Sequence, residues 1–181
     1  MVELLRGSGK DNVNILTPEQ LKISELGQYD RIIFSPGPGL PDEQPAMFGI
    51  LSAVEQIYHE GGVKIPVFGV CLGMQAIAIQ YGGSLLNLPS VVHGQPRKLK
   101  ILQPTHTVFM GIPDNCEVGL YHSWAVDPAT LPGCLETLAV TKDGTIMALS
   151  HNILPICGVQ FHPESIMTPA GKKMIENWLA A

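Results

Sequence analysis

Charge is scarce in this sequence, and so are aromatic rings: charged residues make up 15% of the 181 positions, and Phe, Trp and Tyr together 6%. The 11 Lys and Arg against 16 Asp and Glu leave a net charge of −5, and nowhere do the basic residues cluster. The densest basic stretch, Arg97-Lys98-Leu99-Lys100, alternates like the solvated face of a strand. That balance argues against a nucleic-acid partner. No apolar run approaches the ~18 residues a membrane helix needs. The first residues also lack the basic start, apolar stretch and small-residue cleavage site of a secretory leader. Cysteine is sparse too. Cys71, Cys116, Cys134 and Cys157 form no CxxC pair, which excludes the common zinc and dithiol motifs. A chain of this length fills a core without disulfide staples. The expectation is a cytoplasmic protein in which at most one cysteine does chemistry.

Hydrophobic residues, at 45%, are what the sequence has in plenty. In the first half they alternate between two periods. Arg31–Ser35 is a short β-branched and aromatic run that stops at Pro36-Gly37-Pro38-Gly39. From Met47 the apolar residues Phe48, Leu51, Val54, Ile57 and Tyr58 recur at helical spacing until Gly61-Gly62. Ile65–Val70 is nearly all apolar, as in a strand buried on both faces. Leu72–Tyr81 then reads as a helix stopped by Gly82-Gly83. Strand and helix in alternation predict an α/β domain with a mainly parallel sheet flanked by helices.

The second half reads as short strands separated by turns: Leu99–Leu102, Glu117–Tyr121, Glu136–Thr141, Ile146–Ser150 and Ile156–Phe161, with Asp143-Gly144 as a hairpin turn. These predict added antiparallel strands. A closing helix is expected with Thr168 as N-cap, Pro169 at its first position, and Met174, Ile175, Trp178 and Leu179 on one face. No linker or repeat interrupts the chain, so residues 1–181 are expected to form one domain.

Chemistry concentrates at three sharp turns. In Gly69-Val70-Cys71-Leu72-Gly73-Met74-Gln75 a buried strand runs straight into a helix, with a cysteine at the joint and glycines two residues to either side. Small neighbours permit a strained turn that lifts one side chain above the sheet edge. A helix N-terminus there favours a thiolate, and the Leu72 N–H points where an oxyanion would develop. The second turn is Gly158-Val159-Gln160-Phe161-His162-Pro163-Glu164-Ser165. It ends a strand at a histidine, with a carboxylate two residues on to hold the imidazole in its working tautomer. C-terminal ends of parallel strands gather on one side of a sheet, so Cys71 and His162 can meet. Nucleophile, base and orienting acid are then Cys71, His162 and Glu164. The third turn, Ser35-Pro36-Gly37-Pro38-Gly39, brings its backbone close to a ligand because glycine adds no bulk.

Taken together, Ser35–Gly39, Gly69–Gln75 and Gln160–Ser165 resemble the signature of class I glutamine amidotransferases, three motifs in order over most of the chain. With Tyr121-His122-Ser123 and His162-Pro163-Glu164-Ser165, the resemblance is to the small subunits of anthranilate synthase and aminodeoxychorismate synthase. It implies a three-layer, flavodoxin-like fold in which Cys71 attacks the side-chain amide of L-glutamine, His162 moves the proton and Glu164 orients His162. Glutamine contacts are implied at Gly37, Pro38, Gly39 and Gln75 and on the backbone of Ser123 and Trp124, with oxyanion donors at the N–H groups of Leu72 and Gly39. The ammonia would pass to a chorismate-binding large subunit, in tryptophan or folate synthesis; that subunit also holds the magnesium, so the resemblance implies no metal site and no cofactor in this chain.

Three departures from the family pattern stand out. Trp124 replaces a usual Leu, and Gln95 replaces a usual Lys after the His93-Gly94 loop. Family members begin with a strand and an Asp-Asn-Tyr-Asp-Ser-Phe-like turn, whereas Met1–Gly7 resembles the end of the helix that follows them; roughly the first fifteen to twenty family residues are expected to be missing. Two other readings compete: a free-standing γ-glutamyl hydrolase, and a non-catalytic binding subunit that kept the fold. Intact Cys71, His162 and Glu164 weigh against the second.

Overall fold

The computed structural model describes residues 1–9, 12–17 and 20–181, with the side chains of residues 90–92 outside that description. Its central sheet is built on β2 (Val67–Val70), all four of whose residues are buried. Period-2 alternation sends Val67 to one side and Phe68 and Val70 to the other, so both faces need a cover. On the first side lie α2 (Pro45–His59) and α3 (Leu72–Gln80), bringing Leu51, Val54 and Ile77 against Val67. On the second lie α1 (Val2–Gly7) and α4 (Gly171–Ala180), bringing Leu5, Met174, Ile175 and Trp178. The Trp178 and Phe68 rings meet at 5.3 Å between centroids. Helices on both faces of one sheet make the three-layer α/β architecture that the alternation predicted.

The remaining strands are β1 (Ile32–Phe34), β3 (Leu85–Lys98), β4 (Lys100–Ile101), β5 (Glu117–Val126), β6 (Leu135–Val140), β7 (Ile146–His151) and β8 (Ile156–Val159). The main sheet runs β1-β2-β8-β7-β6-β4. β1, β2 and β8 are mutually parallel, and β7, β6 and β4 add antiparallel pairs from the second half of the chain. All three parallel strands therefore end on the same side, which brings the loops after Phe34, Val70 and Val159 together.

Two expectations change, and one element goes unanticipated. His93-Gly94, read as a loop, lies within the 14-residue β3, which pairs with β5 as a separate antiparallel ribbon. Register shifts absorb the irregular residues, one of them between His93 and Gln95, where Gly94 takes φ 61°. Thr168 does not cap the last helix, which starts at Gly171 behind Ala170. Its hydroxyl instead donates to the His162 carbonyl at 2.7 Å and accepts from the Gly119 N–H at 3.0 Å. Those two contacts tie the hydroxyl to β5 and to the His162 turn, and the helix begins three residues later. Lastly, a 3-10 turn at Ile23–Gln28 buries Leu26 under α2, with no periodic signal in the sequence.

Candidate active site

β2 passes into α3 through one residue, Cys71, whose φ of 53° and ψ of −101° are rare for any side-chain-bearing residue. The glycines on either side make that turn feasible. A Cβ on Gly69 would fall 2.5 Å from the Gly73 carbonyl carbon, and one on Gly73 would fall 2.6 Å from Phe34 Cβ. Strand, helix start and β1 thus pack backbone to backbone, and only glycine fits at both places. The turn holds Cys71 at 8% exposure, in the N-cap position of α3, with Leu72 as the first helical residue. Leu72 is in the first turn, where N–H groups have no helical acceptor. The Ser35–Gly39 loop lies alongside: a Cβ on Gly37 would sit 3.2 Å from Leu72 Cδ2, and Gly39 takes φ 83°.

His162 follows β8 and is fixed through its backbone, its N–H donating to the Gly119 carbonyl at 3.1 Å. Its Nδ1 lies 2.8 Å from Glu164 Oε1. The carboxylate can only accept, so Nδ1 carries a proton directed at Glu164, and Nε2 is the ring atom left to exchange one with the cysteine. That Nε2 is buried and has no hydrogen-bond partner. Burial alone would lower the imidazole's pKa, but the adjacent Cys71 sulfur and the Glu164 carboxylate outweigh it and push it up to about 9. The same contact holds Glu164 below the usual carboxylate range although its burial acts the other way. The Tyr121 ring packs edge-on against His162, centroids 4.9 Å apart, and its hydroxyl lies 3.1 Å from Ser165 Oγ. A thiol beside a free imidazole nitrogen, with a carboxylate behind the ring, is an arrangement that can attack a carbonyl and then protonate a leaving amine.

Gln75, one turn into α3, is buried, and its Nε2 donates to the Trp124 carbonyl at 2.8 Å and to Gln160 Oε1 at 3.0 Å. With both N–H groups used, only its Oε1 remains for a ligand. The Trp124 carbonyl also receives His122 Nδ1 at 2.9 Å, so both its lone pairs are engaged within the protein. Ser123, next to it on β5, is half-buried. Gly37 and Pro38 also border a cavity of about 330 Å³ along the outer edge of β1, but Cys71 and His162 are not on its wall. Among the described residues no three of His, Cys, Asp and Glu converge as metal ligands would. Two neighbours of the triad carried no role in the sequence reading. Tyr121 and Gln160 both lie in the motifs, but their contacts reach residues 41 and 89 positions away, which spacing does not reveal.

The family model described as glutamine amidotransferase class-I matches residues 8–181. A Bacillus subtilis protein named aminodeoxychorismate/anthranilate synthase component 2 is 46% identical over 181 residues, spanning 99% of this chain and 88% of that protein. A Klebsiella aerogenes protein named aminodeoxychorismate synthase component 2 is 40% identical over 152 residues, 82% of this chain and 75% of that one. In fold, the crystal structure of a Thermotoga maritima glutamine amidotransferase matches with a TM-score of 0.76 at 17% identity, covering 99% of this chain and 89% of that one. The chain belongs to the class I glutamine amidotransferase family.

Proposed function

We propose that residues 1–181 act as one cytoplasmic glutaminase domain, the small component of a chorismate-using synthase, with Cys71, His162 and Glu164 as its triad. The observation that carries the reading is Cys71 held at a strained strand–helix joint beside a histidine whose Nδ1 is bound to Glu164 at 2.8 Å. His162 Nε2 takes the Cys71 proton, and the sulfur bonds to the amide carbon of L-glutamine. The N–H groups of Leu72 and Gly39 receive the negative oxygen. His162 returns the proton to the amide nitrogen, the C–N bond breaks and ammonia leaves. Water then adds to the γ-glutamyl thioester as His162 takes its proton, the C–S bond breaks, and glutamate departs. Gly37 and Pro38 flank the substrate, with the Oε1 of Gln75 and the backbone of Ser123 and Trp124 on its other side.

The large-subunit partner is supported by the component 2 names of relatives at 40–46% identity. Partner binding is expected to order the Gly37–Gly39 loop so that a second oxyanion donor points inward. One absent donor costs about 10²–10³ in rate. The test is glutamine hydrolysis by the chain alone and mixed with a chorismate-binding large subunit. Low activity alone and a rise of that order on mixing are expected. Full activity without a partner would favour a free γ-glutamyl hydrolase, and no labelling of Cys71 by a glutamine-mimicking diazoketone would favour a non-catalytic subunit.

A further inference from the structure

The cysteine has a second polar neighbour besides His162. Gln160, the first residue past the end of β8, is 0% exposed, and its backbone N–H is tied to the Met147 carbonyl at 2.8 Å. Its side-chain Nε2 lies 3.4 Å from Cys71 Sγ, and its Oε1 faces the Nε2 of Gln75 at 3.0 Å. An amide side chain can be turned end for end, so its oxygen and nitrogen are assigned from their partners. Here the partners leave one assignment. The Trp124 backbone carbonyl cannot donate, so Gln75 must offer it the NH₂ group. That NH₂ also faces Gln160, which must answer with its oxygen. The Gln160 NH₂ is then the group left for the sulfur. Turning Gln160 round would set two NH₂ groups against each other and a carbonyl lone pair against a thiolate.

We infer that Gln160 is a positioning residue for the nucleophile: its amide N–H, aimed by the relay from the Trp124 carbonyl through Gln75, holds the Cys71 sulfur in place and stabilises the negative charge it takes on when His162 accepts its proton. This rests on the reading of Cys71 as nucleophile. A hydrogen bond to an anionic acceptor is stronger than one between neutral groups, so the donor favours thiolate over thiol. Unlike His162, the amide does not move a proton during the reaction. It can keep a bond to Sγ when His162 carries its proton to the leaving amine.

The test is alkylation of Cys71 by iodoacetamide, followed by mass spectrometry of its peptide across about pH 5 to 9. A small neutral probe avoids the glutamine contacts, which a change at Gln75's partner would disturb. Gln160→Met keeps the volume and removes the donor. The expected result is a fall in the rate near neutral pH on the order of tenfold to hundredfold, with the half-maximal point moved to higher pH. Gln160→Glu gives an independent reading that does not rely on the methionine variant folding. Its carboxyl donates to sulfur when protonated and repels it when ionised. Its rate relative to the unaltered protein is expected to be highest in acid and to fall as pH rises. A folded Gln160→Met or Gln160→Glu variant whose Cys71 profile matches the unaltered protein would overturn the inference. If the diazoketone fails to label Cys71 in the unaltered protein, the nucleophile reading itself fails, a result distinct from an unchanged profile in the variants.

Discussion

Two cysteines, one within a strand and one just past the end of its neighbour, are nearly equally hidden, and only one of the two is placed to react. Cys157 lies mid-strand in β8, in register with Phe68 on β2, at 6% exposure. Burial pushes its thiol up to about 12, and nothing opposes that shift. Cys71, at 8% exposure, lies three residues past Phe68, beyond the end of β2. The difference is in the backbone and in what gathers round it. At φ 53° the chain leaves the ladder and turns the side chain to the strand-end side of the sheet, where His162 and Gln160 converge. A buried thiol in an apolar strand is disarmed. A thiol equally buried at a strand end, among a base and a donor, is not.

The sharpest way to break this contrast is to remove each sulfur in turn. Cys71→Ala is expected to lower glutamine-dependent product formation by on the order of 10⁴ or more. Synthesis from added ammonia by the partnered large subunit should persist, because ammonia bypasses the step. Retention of a tenth of the glutaminase rate, a barrier change of only ~1.4 kcal/mol, would mean that the sulfur is not the nucleophile. Glutaminase assays of the complex decide it.

His162→Ala and Glu164→Gln grade the support around Cys71. Losing the base is expected to cost about 10²–10⁴ in kcat, and Glu164→Gln less. The amide still bonds to the ring, but it can select the wrong tautomer and cannot stabilise the imidazolium. Steady-state kinetics of the two variants side by side would show the order. Equal losses in two folded variants would give Glu164 a task beyond orientation, and a wild-type rate in Glu164→Gln would remove it from the triad.

The same ion pair should show in stability. The folded protein holds the His162 proton more tightly than the unfolded chain, with a pKa of about 9 against 6.5. That contribution is complete below the unfolded value and is lost as pH rises through about 9, with a ceiling of about 3 kcal/mol. Glu164 is shifted down, so its share is present above the ordinary carboxylate range and lost in acid. Thermal melting followed from about pH 6 to 10 should fall across that window. In Cys71→Ala, which removes one of the groups raising His162, the fall should be shallower. Parallel curves would mean that the sulfur does not hold the proton on His162.

Much of the candidate site's backbone was legible in the sequence. The Gly69–Gly73 spacing around Cys71 pointed to the strained joint because only glycine tolerates the backbone contacts found there. The apolar runs gave β2 and β8, and their parallel order placed Cys71 and His162 on one side. The 14-residue β3 was hidden because Pro89, Gly94 and Pro96 are turn residues. They are tolerated in a two-stranded ribbon whose pairing shifts register between Asn87 and Val92 and again at Gly94. Thr168 was misassigned for a related reason: a threonine before a proline and an apolar stripe looks like a cap until a carbonyl six residues back claims its hydroxyl. Gln160 was visible as a polar residue in an apolar run, but its partners lie 85 and 89 positions away. Local patterns report local geometry, and the hydrogen-bond relay is not local.

Cys157 completes the contrast with the smallest effects. Cys157→Ala removes one buried sulfur from among Phe68, Val159 and Trp178 and should cost on the order of 1 kcal/mol, with glutaminase activity unchanged. Cys157→Ser is closer in shape and should cost no more. A hydroxyl there stands opposite Ser150, its buried register partner on β7, and opposed hydroxyls on paired strands can share a hydrogen bond. Melting temperatures should therefore rank the unaltered protein first, with serine at or above alanine, and spacings of a few degrees for a domain of this size. Native alkylation adds a second check: Cys157 should resist iodoacetamide until the protein unfolds, while Cys71 reacts in the folded state. If serine proved less stable than alanine, its hydroxyl would be unpaired despite Ser150, at a cost of about 1–3 kcal/mol. If Cys157 reacted as fast as Cys71 in the folded protein, burial would not explain an inert thiol, and the distinction between the two cysteines would fall.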